Sequence, residues 1–126
     1  MTVYQIKEAV MFQTNNDSDD LEDYLPFLDG YLNQGYDLLV GAWDPDSHVG
    51  DADYPPLDDE EDEPNLPRWL HPALVDYATW LVYRNGNSQK QNRGGVFLSN
   101  FQEALRKVTA SGGARGRVKK FINIPD

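Results

Sequence analysis

"PALVDYATWLVYRNGNSQKQNRGGVFLSNFQEALRKV", residues 72–108, carries the pattern that decides the fold class. Pro72 suits the first turn of a helix, where a missing N–H costs nothing. Leu74, Tyr77, Ala78, Leu81 and Val82 then share one helical face. Asn85-Gly86-Asn87 has the chemistry of a tight turn. Ser88 is placed to cap a second helix, whose apolar face is Phe97, Leu98, Phe101, Ala104, Leu105 and Val108. Gly94-Gly95 is expected to interrupt that helix, because glycine is a poor helix former.

Upstream, the same period recurs. Thr2 and Gln5 have capping-box spacing, and Val3, Ile6 and Val10 follow at helical intervals, predicting a helix from Thr2 to Gln13. "TNNDSDD", residues 14–20, breaks it. Asp17 or Ser18 can cap the next helix, with Asp19 and Asp20 in its first turn. Leu21, Tyr24, Leu25, Leu28, Leu32 and Leu39 continue the periodicity, and Pro26 either kinks this helix or marks its true start. Gly30, Gly35 and Gly41 each cost about 1 kcal/mol in a helix relative to Ala, which suggests close backbone approach to a neighbour.

Residues 44–67 form a long connection, and connections of this length are usually functional or disordered. Within it, "PPLDDEEDEPNLP" (55–67) sets six consecutive acids, Asp58 to Glu63, between proline clusters. Downstream, "SGGARGR" (111–117) reads as a flexible basic linker. "VKKFINIPD" (118–126) alternates as a short strand or extended arm would. The expectation is a mostly α protein: about four helices in residues 1–110, the acidic loop 44–67, and a basic C-terminal arm 111–126.

The bulk numbers agree. A chain of 126 residues is one domain by size. Three Trp, seven Tyr and five Phe are too many for a disordered chain of this charge. Without cysteine there is no disulfide framework and no thiolate chemistry. No apolar run is long enough to span a membrane, and no signal peptide is expected. Charge is strongly polarised. Residues 1–67 carry 18 acids against Lys7 alone, a balance of −17; residues 68–126 carry ten bases against Asp76, Glu103 and Asp126, a balance of +7. Either one monomer bears two solvated surfaces of opposite sign, or the acidic part of one copy meets the basic part of another.

Catalytic and metal signatures are missing. The two histidines, His48 and His71, stand beside no nucleophile motif, and His71 before Pro72 reads as structural or solvent-facing. An EF-hand counted from Asp44 puts His48 at position 5, Val49 at 6 and Pro55 at 12, so the calcium pattern fails. "GGARGR" lacks the Lys-Ser/Thr of a P-loop. Its bases could contact phosphates, but a chain of net charge −10 repels DNA as a whole. No enzyme activity, cofactor or metal is expected. An acidic DNA mimic that binds a DNA-binding partner is the alternative reading.

The hairpin of residues 72–108, with the amphipathic "YLPFLDGYLNQGYDLLVGAW" (24–43) ending just before a long loop, resembles the head–tail connector, or adaptor, proteins of tailed bacteriophages. The resemblance covers roughly residues 20–108. It implies a small structural subunit of the virion, made in the host cytoplasm and assembled at the capsid vertex. Such subunits form a homo-oligomeric ring, usually of twelve copies, under the portal protein. The ring extends the DNA channel toward a neck or tail-completion protein, and duplex DNA passes through without specific binding. Carried over, Leu74, Tyr77, Ala78, Leu81, Phe97, Phe101, Ala104 and Leu105 are the packed hairpin. Arg115, Arg117, Val118, Lys119, Lys120, Phe121, Ile122 and Ile124 are the arm that grips a neighbour or the portal. Asp51, Asp53, Asp58, Asp59, Glu60, Glu61, Asp62 and Glu63 either line the channel, keeping DNA mobile, or face outward as a docking surface.

Overall fold

The computed structural model describes residues 1–14, 24–85 and 88–114, the last from the backbone alone over 88–90. It is mostly α: helix α1 spans Val3–Gln13, α2 Leu28–Trp43, α3 His71–Arg84 and α4 Ser88–Ser111. No strand occurs among the described residues, only an isolated bridge between Val49 and Asp51.

Each helix starts where local chemistry allows. At α1 the capping box forms in full: Thr2 Oγ1 accepts from Gln5 N at 3.2 Å, and Gln5 Oε1 accepts from Thr2 N at 2.9 Å. Pro26 sits in a 3-10 turn, Leu25–Phe27, that follows the helical Tyr24 and leads into α2. The expected caps Asp17 and Ser18, and Leu21, lie outside the described residues. Pro72 occupies the first turn of α3, after a second 3-10 turn, Arg68–Leu70.

The helices alternate in direction. Tyr83 Oη, near the end of α3, donates to the Gln13 carbonyl at the end of α1. Asn85, just past α3, donates to Tyr31 Oη near the start of α2. At the far pole, Gly113 lies against the Trp43 carbonyl that closes α2. So α1 and α3 run one way, α2 and α4 the other. Helix α3 is central and packs on α1, α2 and α4. Its Leu74, Tyr77, Ala78 and Leu81 are buried, as are Ile6, Leu28, Leu32, Tyr36, Leu39 and Val108 on the other helices.

Glycine works differently from site to site. A Cβ on Gly35 would sit 2.9 Å from Tyr77 Cδ1, so this residue permits close approach of α2 to α3. Gly30 and Gly41 have nothing within 4 Å. Gly94-Gly95 does not interrupt α4, which runs unbroken through both. The reason is packing: a Cβ on Gly94 would meet Tyr83 Cβ at 2.9 Å, and close helix contact outweighs the propensity cost.

In α4, Phe101 is buried, while Phe97, Ala104 and Leu105 are half-buried. Phe97 stacks on Tyr83 with ring centroids 5.8 Å apart, and Phe101 meets Tyr77 at 4.8 Å. The start of the expected flexible linker is packed instead. Gly113 is buried and Ala114 lies against the core. The rest of the arm, Arg115, Arg117, Val118, Lys119, Lys120, Phe121, Ile122 and Ile124 included, lies outside the described residues.

Candidate functional site

The acidic connection 44–67 is an ordered strap laid over α1 and α2. Its few apolar side chains, Tyr54, Leu57 and Leu66, are buried and anchor it. Asn33 on α2 grips it by both amide atoms: Oδ1 accepts from Leu57 N at 2.8 Å, and Nδ2 donates to Leu57 O at 3.1 Å. Further along, Asp37 Oδ1 accepts from Val49 N at 3.0 Å. Tyr36 Oη accepts from Asn65 N at 2.9 Å. The strap then runs beside the start of α1, where Tyr4 N donates to Glu60 O at 2.9 Å and Val3 N to Asp62 O at 2.8 Å. Those are two of the N–H groups that a helix start leaves without an intrahelical partner.

The eight acids singled out from the sequence separate into two sets. Four are consumed by the fold. Asp51 Oδ2 accepts from His48 N at 2.9 Å. Glu60 Oε1 pairs with Lys7 Nζ at 2.7 Å. Asp62 Oδ2 accepts from the backbone of Asp58 at 3.0 Å and of Asp59 at 2.9 Å, closing a turn. Glu63 Oε1 lies 3.3 Å from the Met1 amino group. The other four, Asp53, Asp58, Asp59 and Glu61, are exposed. They are the ones available to a partner.

Lys7, the lone base of the first 67 residues, also reaches Asp29 at 2.7 Å, so it ties α1, α2 and the strap together. Burial pulls its pKa down, but the hydrogen bonds to Asp29 and Glu60 outweigh burial and hold it above the ordinary lysine value. Burial, reinforced by donation to Asp44 Oδ2 at 3.0 Å, pushes the Tyr54 hydroxyl up to about 12.

His71 is structural. It is buried, with Nε2 3.0 Å from the Leu66 carbonyl and Nδ1 2.6 Å from the Met1 amino group. A carbonyl only accepts, so Nε2 carries the hydrogen and Nδ1 accepts from Met1. Burial lowers its pKa. Beside it opens a shallow cleft of about 380 Å³ lined by Met1, Gln5, Glu63, Arg68 and Pro72. Among the described residues no three His, Cys, Asp or Glu side chains converge as metal ligands would. None of the described helices is long and apolar enough to cross a membrane.

The strap's supports, Asn33, Asp37 and Lys7, are functional in the sense that they fix the acidic surface, and sequence reading missed them. Polar residues at helical positions give no signal until the segment they hold is known. The exposed aromatics Tyr4 and Phe12 had a signal, since with Glu8 they repeat at i, i+4, i+8 off the buried face of α1. Comparison of the chain with protein-family models, with curated proteins and with solved structures found no match.

Proposed function

We propose that the protein is a structural adaptor of a tailed-phage particle. It forms a connector-type four-helix subunit, about twelve copies of which ring the DNA channel between the portal and a neck or tail-completion protein. The observation that carries the reading is the fixed acidic strap on a small helical subunit whose last residues are basic. A strap held by backbone hydrogen bonds presents its exposed carboxylates at constant positions. Such a surface suits either a channel wall that repels duplex DNA or a docking face that selects a basic partner. The four alternating helices and the buried hairpin residues Leu74, Tyr77, Ala78, Leu81 and Phe101 fit the resemblance. Large exposed apolar residues, Phe12 and Phe27 among them, favour a protein that works in an assembly.

The test is light scattering of the protein alone and with its portal, followed by electron microscopy. A ring or a portal complex is expected; a monomer indifferent to portal and tail proteins overturns the reading. The strap's part is tested without harming the fold by Asp58→Asn, Asp59→Asn and Glu61→Gln together, because those carboxylates support nothing in the subunit. Tail joining or DNA release should change in that variant. Unchanged behaviour in both would leave the strap without a role at the neck. The rigidity of the strap also favours the second reading, an acidic DNA mimic. Capture of a DNA-binding protein in competition with DNA would move that reading ahead.

A further inference from the structure

The outer face of α2 carries a stripe of large side chains. Phe27 (59 % exposed), Tyr31, Gln34 and Leu38 (48 % exposed) fall at i, i+4, i+7 and i+11, so they share one side. Phe27 stacks on Tyr31, with ring centroids 6.4 Å apart. The polar tips of Tyr31 and Gln34 are engaged with Asn85 and Tyr77, so the apolar part of the stripe is what remains to be covered. Negative charge gathers where α2 ends. Asp37 accepts from Val49 N, Asp44 from the Tyr54 hydroxyl and Asp51 from His48 N, so each of these carboxylates is bonded to a neutral donor. Neither α2 nor residues 44–67 hold a Lys or Arg, and the last turn of α2, where a helix favours cations, has no base.

The chain beyond the described residues starts beside this face. Gly112 (φ +79°) and Gly113 (φ +56°) turn it off the axis of α4, and Gly113 rests on the Trp43 carbonyl that closes α2. Residues 115–124, "RGRVKKFINI", hold four bases and no acid, with Val118, Phe121, Ile122 and Ile124 among them. We propose that this segment folds back along the outer face of its own α2. Arg115 and Arg117 come first, beside the three carboxylates and the negative end of the helix. Ten extended residues reach about 33 Å, and the 16-residue α2 is about 24 Å long, so the apolar side chains further on can cover Leu38, Tyr31 and Phe27. The segment is pinned at Gly113, so it meets its own face at a higher effective concentration than that of another copy. The inference concerns a single subunit and stands apart from the ring reading above.

The chain has no cysteine, so an introduced disulfide reports the contact. Leu38→Cys with Val118→Cys is compared with Glu8→Cys with Val118→Cys, each full chain being mildly oxidised in dilute solution. Leu38 and Glu8 are both exposed, so neither change threatens the fold. They stand at like depth from the pole where the segment begins, one on α2 and one on α1, so tether length does not separate them. The within-chain disulfide should form at least about tenfold faster in the Leu38 pair, the ratio that a modest preference for that face gives. Arg115→Glu, Arg117→Glu, Lys119→Glu and Lys120→Glu together should bring it down to the rate of the Glu8 pair. Equal rates in the two pairs, no within-chain disulfide, or indifference to charge reversal overturns the proposal. A disulfide between chains in excess at dilution also overturns it, and gives the segment to a neighbouring copy.

Discussion

Gly113 stands where a side chain is least tolerated. Its φ of +56° lies in the left-handed region, and a Cβ there would collide with the Trp43 carbonyl oxygen, a backbone atom that cannot swing aside. Left-handed backbone costs a non-glycine residue about 1–2 kcal/mol, and the collision adds to it. Gly113→Ala should therefore destabilise by about 2–3 kcal/mol in urea unfolding, through loss of the contact between the ends of α4 and α2. Gly30→Ala is the control. That site is helical with open space around it, so the same substitution should stabilise by up to about 1 kcal/mol. A loss at Gly113 no larger than about 0.5 kcal/mol, the scale of a neutral surface change, would mean that the end of α4 docks too weakly to matter. The sequence pointed the other way, to close approach at Gly30 and a flexible linker at Gly113, because it does not record what lies opposite a bare Cα.

Among the elements, helices were legible and the strap was not. Periodicity located α1 and α3 nearly to the residue, since the Thr2/Gln5 box and Pro72 are local devices that act within one turn. Gly94-Gly95 misled because propensity is local, while the contact with Tyr83 that keeps α4 intact joins another helix. Residues 44–67 read as a loop that could be disordered, because three anchors, Tyr54, Leu57 and Leu66, are too sparse to show a period. What holds the strap is long-range: Asn33 bonds Leu57 across 24 positions in sequence. Asn33→Ala leaves both Leu57 backbone groups without that partner in a part-buried place. The expected cost is about 2 kcal/mol, and the strap should become sensitive to proteolysis while helical circular dichroism holds. An unchanged digestion pattern would show that the buried apolar anchors suffice. The acidic cluster itself was visible in sequence; which of its eight carboxylates are already bonded within the subunit depends on partners that only the fold brings near.

At the scale of the whole molecule, charge sets how stability responds to pH. Two groups, buried His71 and half-buried Asp76, act with opposite signs. The folded pKa of His71 is depressed, first by burial and then by the positive Met1 amino group; hydrogen bonding to Leu66 and the charge of Glu63 offset this only in part. The folded state therefore prefers neutral His71. Its contribution is fully present above the unfolded value near 6.5 and is lost as pH falls through the folded pKa. Asp76 on α3 runs the other way. Burial raises its carboxyl pKa, against a hydrogen bond with Asn100, so its contribution is full below 3.8 and is lost as pH rises through the folded pKa. Acidification from neutrality meets His71 first. The thermal midpoint should fall as pH drops below about 6.5, because protonating Nδ1 sets an N–H against the Met1 ammonium and places a charge on a buried ring. His71→Gln keeps a donor for the Leu66 carbonyl but cannot titrate. Its midpoint should be lower at pH 7, where the imidazole packing is gone, yet nearly flat over the window in which the unmodified protein declines. Asp76→Asn should instead raise the midpoint at pH 7 and leave the His71 decline in place. Parallel pH profiles for the unmodified protein and His71→Gln would assign the acid sensitivity to another group.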